Sequence, residues 1–266
     1  MRPRLILLAR AWLALAVAAP ALSATTTDPY ERHTLKITEH AWLLYNNFRS
    51  TQPPFEGNVV VFEQRAGLVV VDAGGSIPSG RNVVAAIRAL SNKPVRFLVY
   101  THYHGDHNLG AGAFLHAWPD VVIVSSAATR INMTGAPMAY INTYAHDYQG
   151  MVNYGATALK DPKLSPDARR QWQHVIDIGP QMVAGYVGLQ AYPASLVFAD
   201  AIELPDNQAP LQLAFLGKAN TDGDVVIWAP LQTGAGEWGH CRESHIVCIS
   251  ILPGFMARRH RQAQGL

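Results

Sequence analysis

Residues 101–109 read Thr101-His102-Tyr103-His104-Gly105-Asp106-His107-Asn108-Leu109, which sets three histidines and a carboxylate within six positions. Just before them, Val95-Arg96-Phe97-Leu98-Val99-Tyr100 is a short β-branched and aromatic run, the pattern of a buried strand. A strand feeding a ligand-rich loop is a sound mount for a metal, because the strand holds the ligands still while the loop leaves room for a substrate. Histidines two positions apart leave such a loop on one side, so both imidazoles reach one ion. Zinc accepts imidazole and carboxylate ligands at about 2.0–2.2 Å. His102, His104, Asp106 and His107 are therefore the candidate metal ligands. A solvated histidine-rich turn is the plain alternative, and the buried strand ahead of the cluster argues against it.

The spacing His-x-His-x-Asp-His resembles the signature of the metallo-β-lactamase superfamily. Its flanks extend the likeness. Upstream, Val69-Val70-Val71-Asp72-Ala73-Gly74 is similar to the family's strand that ends in an aspartate supporting the metal loop. Downstream, Phe215-Leu216-Gly217 and Asn220-Thr221-Asp222-Gly223-Asp224 are similar to its second metal-facing loop. The resemblance runs over residues 36–230. It implies an α/β fold, a four-layer αβ/βα sandwich with a largely helical insert, here with an incomplete second half.

The resemblance also implies a ligand set for one or two Zn2+ ions. His102 and His104 would hold the first, Asp106 and His107 the second. The third ligand of the first site would fall at Asn220, where most members of the family carry histidine. Asparagine offers an amide oxygen, a weaker ligand for zinc than imidazole. Asp106 is also the candidate catalytic residue, orienting the attacking water or shuttling its proton; a role as ligand alone is the other reading. The reaction implied is hydrolysis of a carbonyl or ester-type bond (β-lactam, lactone or related ester) by zinc-activated water. A catalytically impaired metal-binding protein of the same fold, lacking second-half ligands, is the alternative. A redox scaffold on iron is a third.

Length and composition agree with one large domain. The chain has 266 residues, 49% hydrophobic and 15% charged, enough for a sizeable core. The first 24 residues read as a secretory signal peptide: a basic start (Arg2, Arg4), an apolar run, and small residues around Pro20 and Ala24. Arg10 interrupts that run, which argues against a permanent membrane span. Secretion or a periplasmic location is the expectation, and it favours an envelope ester or a β-lactam over a cytosolic thioester. Loss of Arg2, Arg4 and Arg10 with the leader would leave acids one in excess of bases. No broad basic face is available for nucleic acid; the expected partner is a small-molecule substrate.

Along the chain, residues 34–45 read as an early strand, then 58–63 and 67–72 as two more. Residues 78–90 place Val83, Val84, Ile87 and Leu90 at helical spacing, and Pro94 stops that helix. Residues 110–115 begin a short helix and 121–124 form a strand. A long, largely helical insert over about 125–190 includes a helix started by Ser165 and Pro166. It is read as a substrate-facing cover over the metal loop, with a plain packing insert as the alternative. Strands follow at 194–198, 211–216 and 225–228, and the glycine-bounded loop 217–223 should face the metal.

After Pro230 the resemblance fades. Residues 231–266 contain no Gly-Asp pair and no long amphipathic helix, and they hold both cysteines, Cys241 and Cys248, which could form one bridge. This tail reads as atypical for the fold, as a frameshift would leave it; the other two reading frames of the coding DNA test that. His240, Cys241 and His245 are remote substitutes as ligands. His33, His40, His116, His146 and His174 read as ordinary structural or surface histidines.

Overall fold

The computed structural model describes residues 28–46 and 56–229, and the backbone of 245–247. The expected leader and nearly all of the expected tail, including Cys241 and Cys248, lie outside the described residues. Among the described residues no helix is long and apolar enough to cross a membrane.

Seven strands form the first sheet in chain order: β1 (His33–Thr38), β2 (Ala41–Tyr45), β3 (Val59–Gln64), β4 (Gly67–Val71), β5 (Val95–Val99), β6 (Val122–Ser126) and β7 (Leu196–Phe198). The first four pair antiparallel and the last four, from β4 onward, pair parallel. A second, antiparallel sheet is ordered β11 (His245–Val247), β10 (Val225–Ala229), β9 (Leu211–Phe215), β8 (Ala201–Leu204).

The central strands read as unbroken apolar runs because both faces are covered. On one face Val59, Val61, Leu68, Val70 and Leu98 pack with Val83 and Ile87 of helix α1 (Ile77–Leu90). On the other, Val60, Phe62, Val69, Val71 and Val99 meet Leu211, Leu213, Val225 and Ile227 of the second sheet. Three layers, helix on sheet on sheet, are thus built by described residues. No fourth layer is seen among the described residues.

Helix α1 starts where Ser76 accepts the Ser79 N–H at 3.2 Å and Pro78 occupies the first turn. Two short helices follow β5, α2 (Gly105–Asn108) and α3 (Ala111–Ala117). The insert comprises α4 (Ala127–Thr134), a 3-10 helix (Ala136–Asn142), α5 (Tyr144–Ala158) and α6 (Pro166–Tyr186). Ser165 caps α6 by accepting the Ala168 N–H at 3.2 Å, as its sequence signal implies.

Three local readings change. Residues 34–45 form a hairpin of β1 and β2 about a turn at Glu39 and His40, not one strand. Part of the ligand loop is helical, as α2. Strand β8, only four residues long with Ile202 and Leu204 as its inward apolar pair, was not anticipated.

Gly110 locks the turn between the ligand loop and α3. Its N–H donates to Gly74 O at 2.8 Å, and a Cβ there would strike Ala73 O and come within 3.0 Å of Gly80 Cα. Gly110→Ala is expected to cost about 3 kcal/mol by overpacking, measured by urea unfolding; a loss below about 1 kcal/mol would mean that the turn can shift.

Candidate metal centre

The site is organised by Asp72, which follows β4. Its φ of 66° is the one positive value among described non-glycine residues, a left-handed conformation that aspartate tolerates better than most. Parallel pairing of β4 with β5 brings Asp72 beside Thr101, and the Asp72 N–H closes the ladder on Val99 O at 2.8 Å. The fully buried carboxylate accepts the Thr101 N–H at 2.8 Å through Oδ1 and the Thr101 hydroxyl at 2.8 Å through Oδ2. It also takes His107 Nδ1–H at 2.6 Å.

These bonds set the histidine tautomers. With its proton given to Asp72, Thr101 Oγ1 can only accept from His102 Nδ1, 3.0 Å away. His102 Nε2 is left with a bare lone pair, and the bond from His107 Nδ1 to Asp72 aims His107 Nε2 at the site. A carboxylate or hydroxyl behind an imidazole is the usual means of orienting a metal ligand.

The donor groups converge as two pairs. Asn220 Nδ2 lies 3.1 Å from His102 Nε2 and 3.3 Å from His104 Nδ1, so the amide hydrogens bridge two imidazole lone pairs facing one point. Turning the amide over puts Oδ1 there instead. Separately, His107 Nε2 lies 3.2 Å from Asp106 Oδ2. Two ligands bound to zinc at about 2.0–2.2 Å and a tetrahedral angle stand roughly 3.3 Å apart. The three separations are compatible with ligation of zinc once Oδ1 takes the place of Nδ2 at Asn220. The His102 ring centroid is 4.8 Å from that of His104 and 4.3 Å from that of His107, which makes the two half-sites neighbours. Among the described residues no three His, Cys, Asp or Glu side chains surround one point: each half-site has two strong ligands, and Asn220 adds an amide to the first.

Asn220 reaches the histidines because its loop is clamped. Gly223 O accepts the hydroxyls of Ser126 and Thr129 at 2.6 and 3.0 Å, at the start of α4. Asn132 Nδ2 donates to Asp222 Oδ1 at 2.6 Å, and the Val225 N–H donates to Thr101 O at 2.8 Å. Loop 217–223, expected to face the metal, reaches the ligand-loop histidines His102 and His104 at Asn220.

The insert reaches the same loop from the other side. Tyr140 Oη lies against Gly105, between His104 and Asp106: a Cβ on that glycine would come within 3.1 Å of it. The rings of Tyr140, Tyr144 and Tyr186 follow at centroid spacings of 5.1 Å each. Sequence reasoning missed Tyr140 and Thr101; the second, opening the ligand motif, was readable as a hydroxyl next to a ligand. The histidines set aside as structural sit elsewhere where their contacts are seen: His33 packs on Tyr45, His40 bonds Gln208, and His146 is an exposed partner of Asp147.

Charge is unevenly distributed. Burial lowers the His102 pKa to about 4, reinforced by His107 and His104, so its imidazole is neutral at pH 7. Burial acts to lower His107 as well, but Asp72 and Asp106 outweigh it and raise that pKa to about 10. Burial acts to raise Asp106, and its bond to His107 wins, holding the carboxyl below the usual range. In the metal-free chain the His107 imidazolium therefore stabilises the fold. That contribution is complete below the free value of 6.5 and is lost as pH climbs towards 10. The melting temperature of metal-free protein should fall across that window, and His107→Gln should flatten the profile.

A sequence model of the metallo-beta-lactamase superfamily matches residues 53–195. A linear primary-alkylsulfatase from Pseudomonas sp. is 44% identical over 55 residues, which is 21% of this chain and 10% of that relative's own length. Among solved structures, a metallo-beta-lactamase from Pontibacter korlensis superposes with a TM-score of 0.48 at 17% identity, covering 75% of this chain and 67% of the other. MEM-A1, a subclass B3 metallo-beta-lactamase from a soil metagenome library, gives 0.47 at 14% identity over 83% and 62%.

Proposed function

From the premise that this chain belongs to the metallo-beta-lactamase superfamily, we propose that it is an exported, zinc-dependent hydrolase of a carbonyl or ester-type bond. The observation that carries this reading is the pair of half-sites, His102–His104–Asn220 and Asp106–His107, with donor separations of 3.1 to 3.3 Å. Zinc held there would supply Lewis acidity that makes water reactive at neutral pH.

The chain's own groups would do the rest. Asp72 and Thr101 aim the imidazoles, and through Thr101 the His102 Nε2 is kept bare. Asp106, ionised and partly exposed, can accept a hydrogen bond from the attacking water and relay its proton. Tyr140 and Tyr144 form an aromatic wall beside the ligand loop, which supports reading the insert as a cover that limits solvent.

The test is zinc analysis together with turnover of nitrocefin, a γ-lactone and a primary alkyl sulfate, the last chosen for the alkylsulfatase likeness. Wild type should hold zinc and hydrolyse at least one, and His102→Ala should lose roughly a hundredfold or more of both affinity and rate. A second reading, a metal-binding protein with impaired catalysis, is favoured by the amide at Asn220 and the two strong ligands per half-site. Stoichiometric zinc with no turnover of any of the three substrates would select it.

A further inference from the structure

Behind Asp106 and His107 lies a buried ion pair that the chemistry above does not use. Arg32 Nη2 meets Glu56 Oε2 at 2.9 Å, with the two side chains 1% and 0% exposed. The same Glu56 oxygen accepts the Gly75 N–H at 2.8 Å and the Ser79 hydroxyl at 2.5 Å. Among the described residues Glu56 Oε1 and Arg32 Nε have no hydrogen-bond partner. Burying two charges is costly, and a pair with unsatisfied atoms is a poor way to stabilise a fold. Burial accordingly pushes Glu56 up and Arg32 down, each towards neutrality.

What the pair does geometrically is hold Gly57. Arg32 Nη1 donates to Gly57 O at 2.8 Å, and the Gly57 N–H donates to Asp106 O at 3.1 Å. Gly57 lies flat against the half-site: a Cβ there would come within 2.8 Å of Asp106 O and 2.9 Å of His107 Nδ1. On the other side, the Ala73 N–H donates to His107 O at 2.7 Å. The backbone of Asp106 and His107 is thus gripped between residue 57 and residue 73, and the guanidinium is the brace behind the first jaw.

We propose that Arg32 and Glu56 are positioning residues for the Asp106–His107 half-site, acting through the Gly57 backbone. The idea rests on the metal-site reading above. Lysine at position 32 keeps the charge for Glu56 but lacks the second nitrogen of the guanidinium fork that reaches Gly57 O. Arg32→Lys should therefore leave the fold intact and loosen the brace.

Two measurements decide the matter. The first is hydrogen exchange in metal-free protein. Arg32→Lys should speed exchange of the Gly57 and Ala73 amides at least about tenfold, with the amides of β4 and β5 unchanged. The second is zinc affinity in two backgrounds. In His102→Ala, which retains Asp106 and His107, Arg32→Lys should weaken zinc roughly 10–100-fold. In His107→Ala, which retains His102, His104 and Asn220, the effect should stay within about twofold.

The double variant Arg32→Met/Glu56→Gln removes both buried charges and should keep or regain global stability, yet still show fast Gly57 and Ala73 amides. Unchanged protection in Arg32→Lys overturns the proposal. So does a loss spread evenly over the strands, or an equal loss of zinc affinity in both backgrounds. If wild type binds no zinc, the metal-site reading falls, and the exchange data still judge the brace.

Discussion

Asp72→Asn is expected to weaken zinc binding by roughly 10–100-fold, measured by competition with a chromophoric chelator. Asparagine keeps the left-handed backbone at φ 66° accessible and is nearly the same size, so the change isolates charge and proton acceptance. Three bonds meet at this carboxylate, from the Thr101 N–H, the Thr101 hydroxyl and His107 Nδ1. Losing the charge removes the stronger of the two groups that raise the His107 pKa to about 10, so that pKa should drop towards its free value. It also removes the acceptor that commits the Thr101 proton, and with it the reason that His102 Nε2 stays bare. The metal-free protein should lose about 3 kcal/mol in urea unfolding, since one partner of a buried charge pair has gone. Unaltered zinc affinity with an unaltered His107 titration would remove Asp72 from the centre of the site.

Asn220→His acts in the opposite direction and is expected to tighten zinc at the first half-site by tenfold or more. The amide already sits between His102 Nε2 and His104 Nδ1, at 3.1 and 3.3 Å. Its loop is clamped at Gly223 by Ser126 and Thr129, so a third imidazole would arrive on a fixed backbone with little ordering cost. Isothermal titration of wild type, Asn220→His and Asn220→Ala should rank them histidine, asparagine, alanine. A turnover gain in Asn220→His on the three-substrate panel would mark the wild-type amide as what restrains catalysis. If asparagine and alanine bind zinc equally, the amide is not a ligand.

Much of the architecture was legible along the chain because the central strands of the first sheet are buried on both faces. Runs such as 59–62 and 68–71 carry no polar position to confuse their reading. Helices α1 and α6 announce their starts through Ser76 with Pro78 and Ser165 with Pro166. Strand β8 was not legible, because its register against β9 is set by its neighbour while Ala201 and Glu203 face outward. The hairpin of β1 and β2 was read as one strand because no glycine or proline marks its turn at Glu39 and His40.

The site divides in the same way. His102, His104, Asp106 and His107 are close in sequence, and local geometry after β5 is enough to gather them. Asn220 was reachable only through a family likeness, since it stands more than a hundred positions away and its residue type argues against the role. Arg32 and Glu56 lie in stretches with no pattern, and Tyr140 lies in the helical insert, where nothing in the sequence singles it out.

By itself the chain determined most of the elements of the first sheet, the starts of α1 and α6, and which side chains are candidates to hold a metal, because burial periodicity and side-chain chemistry are local properties. Only the tertiary structure decided that Asp72 fixes the tautomers, that the donors divide into two half-sites, and that a buried ion pair stands behind one of them. Those facts arise from strands and loops brought together by pairing of β4 with β5 and packing of one sheet on the other. Contacts between remote residues leave no periodic trace in a single sequence.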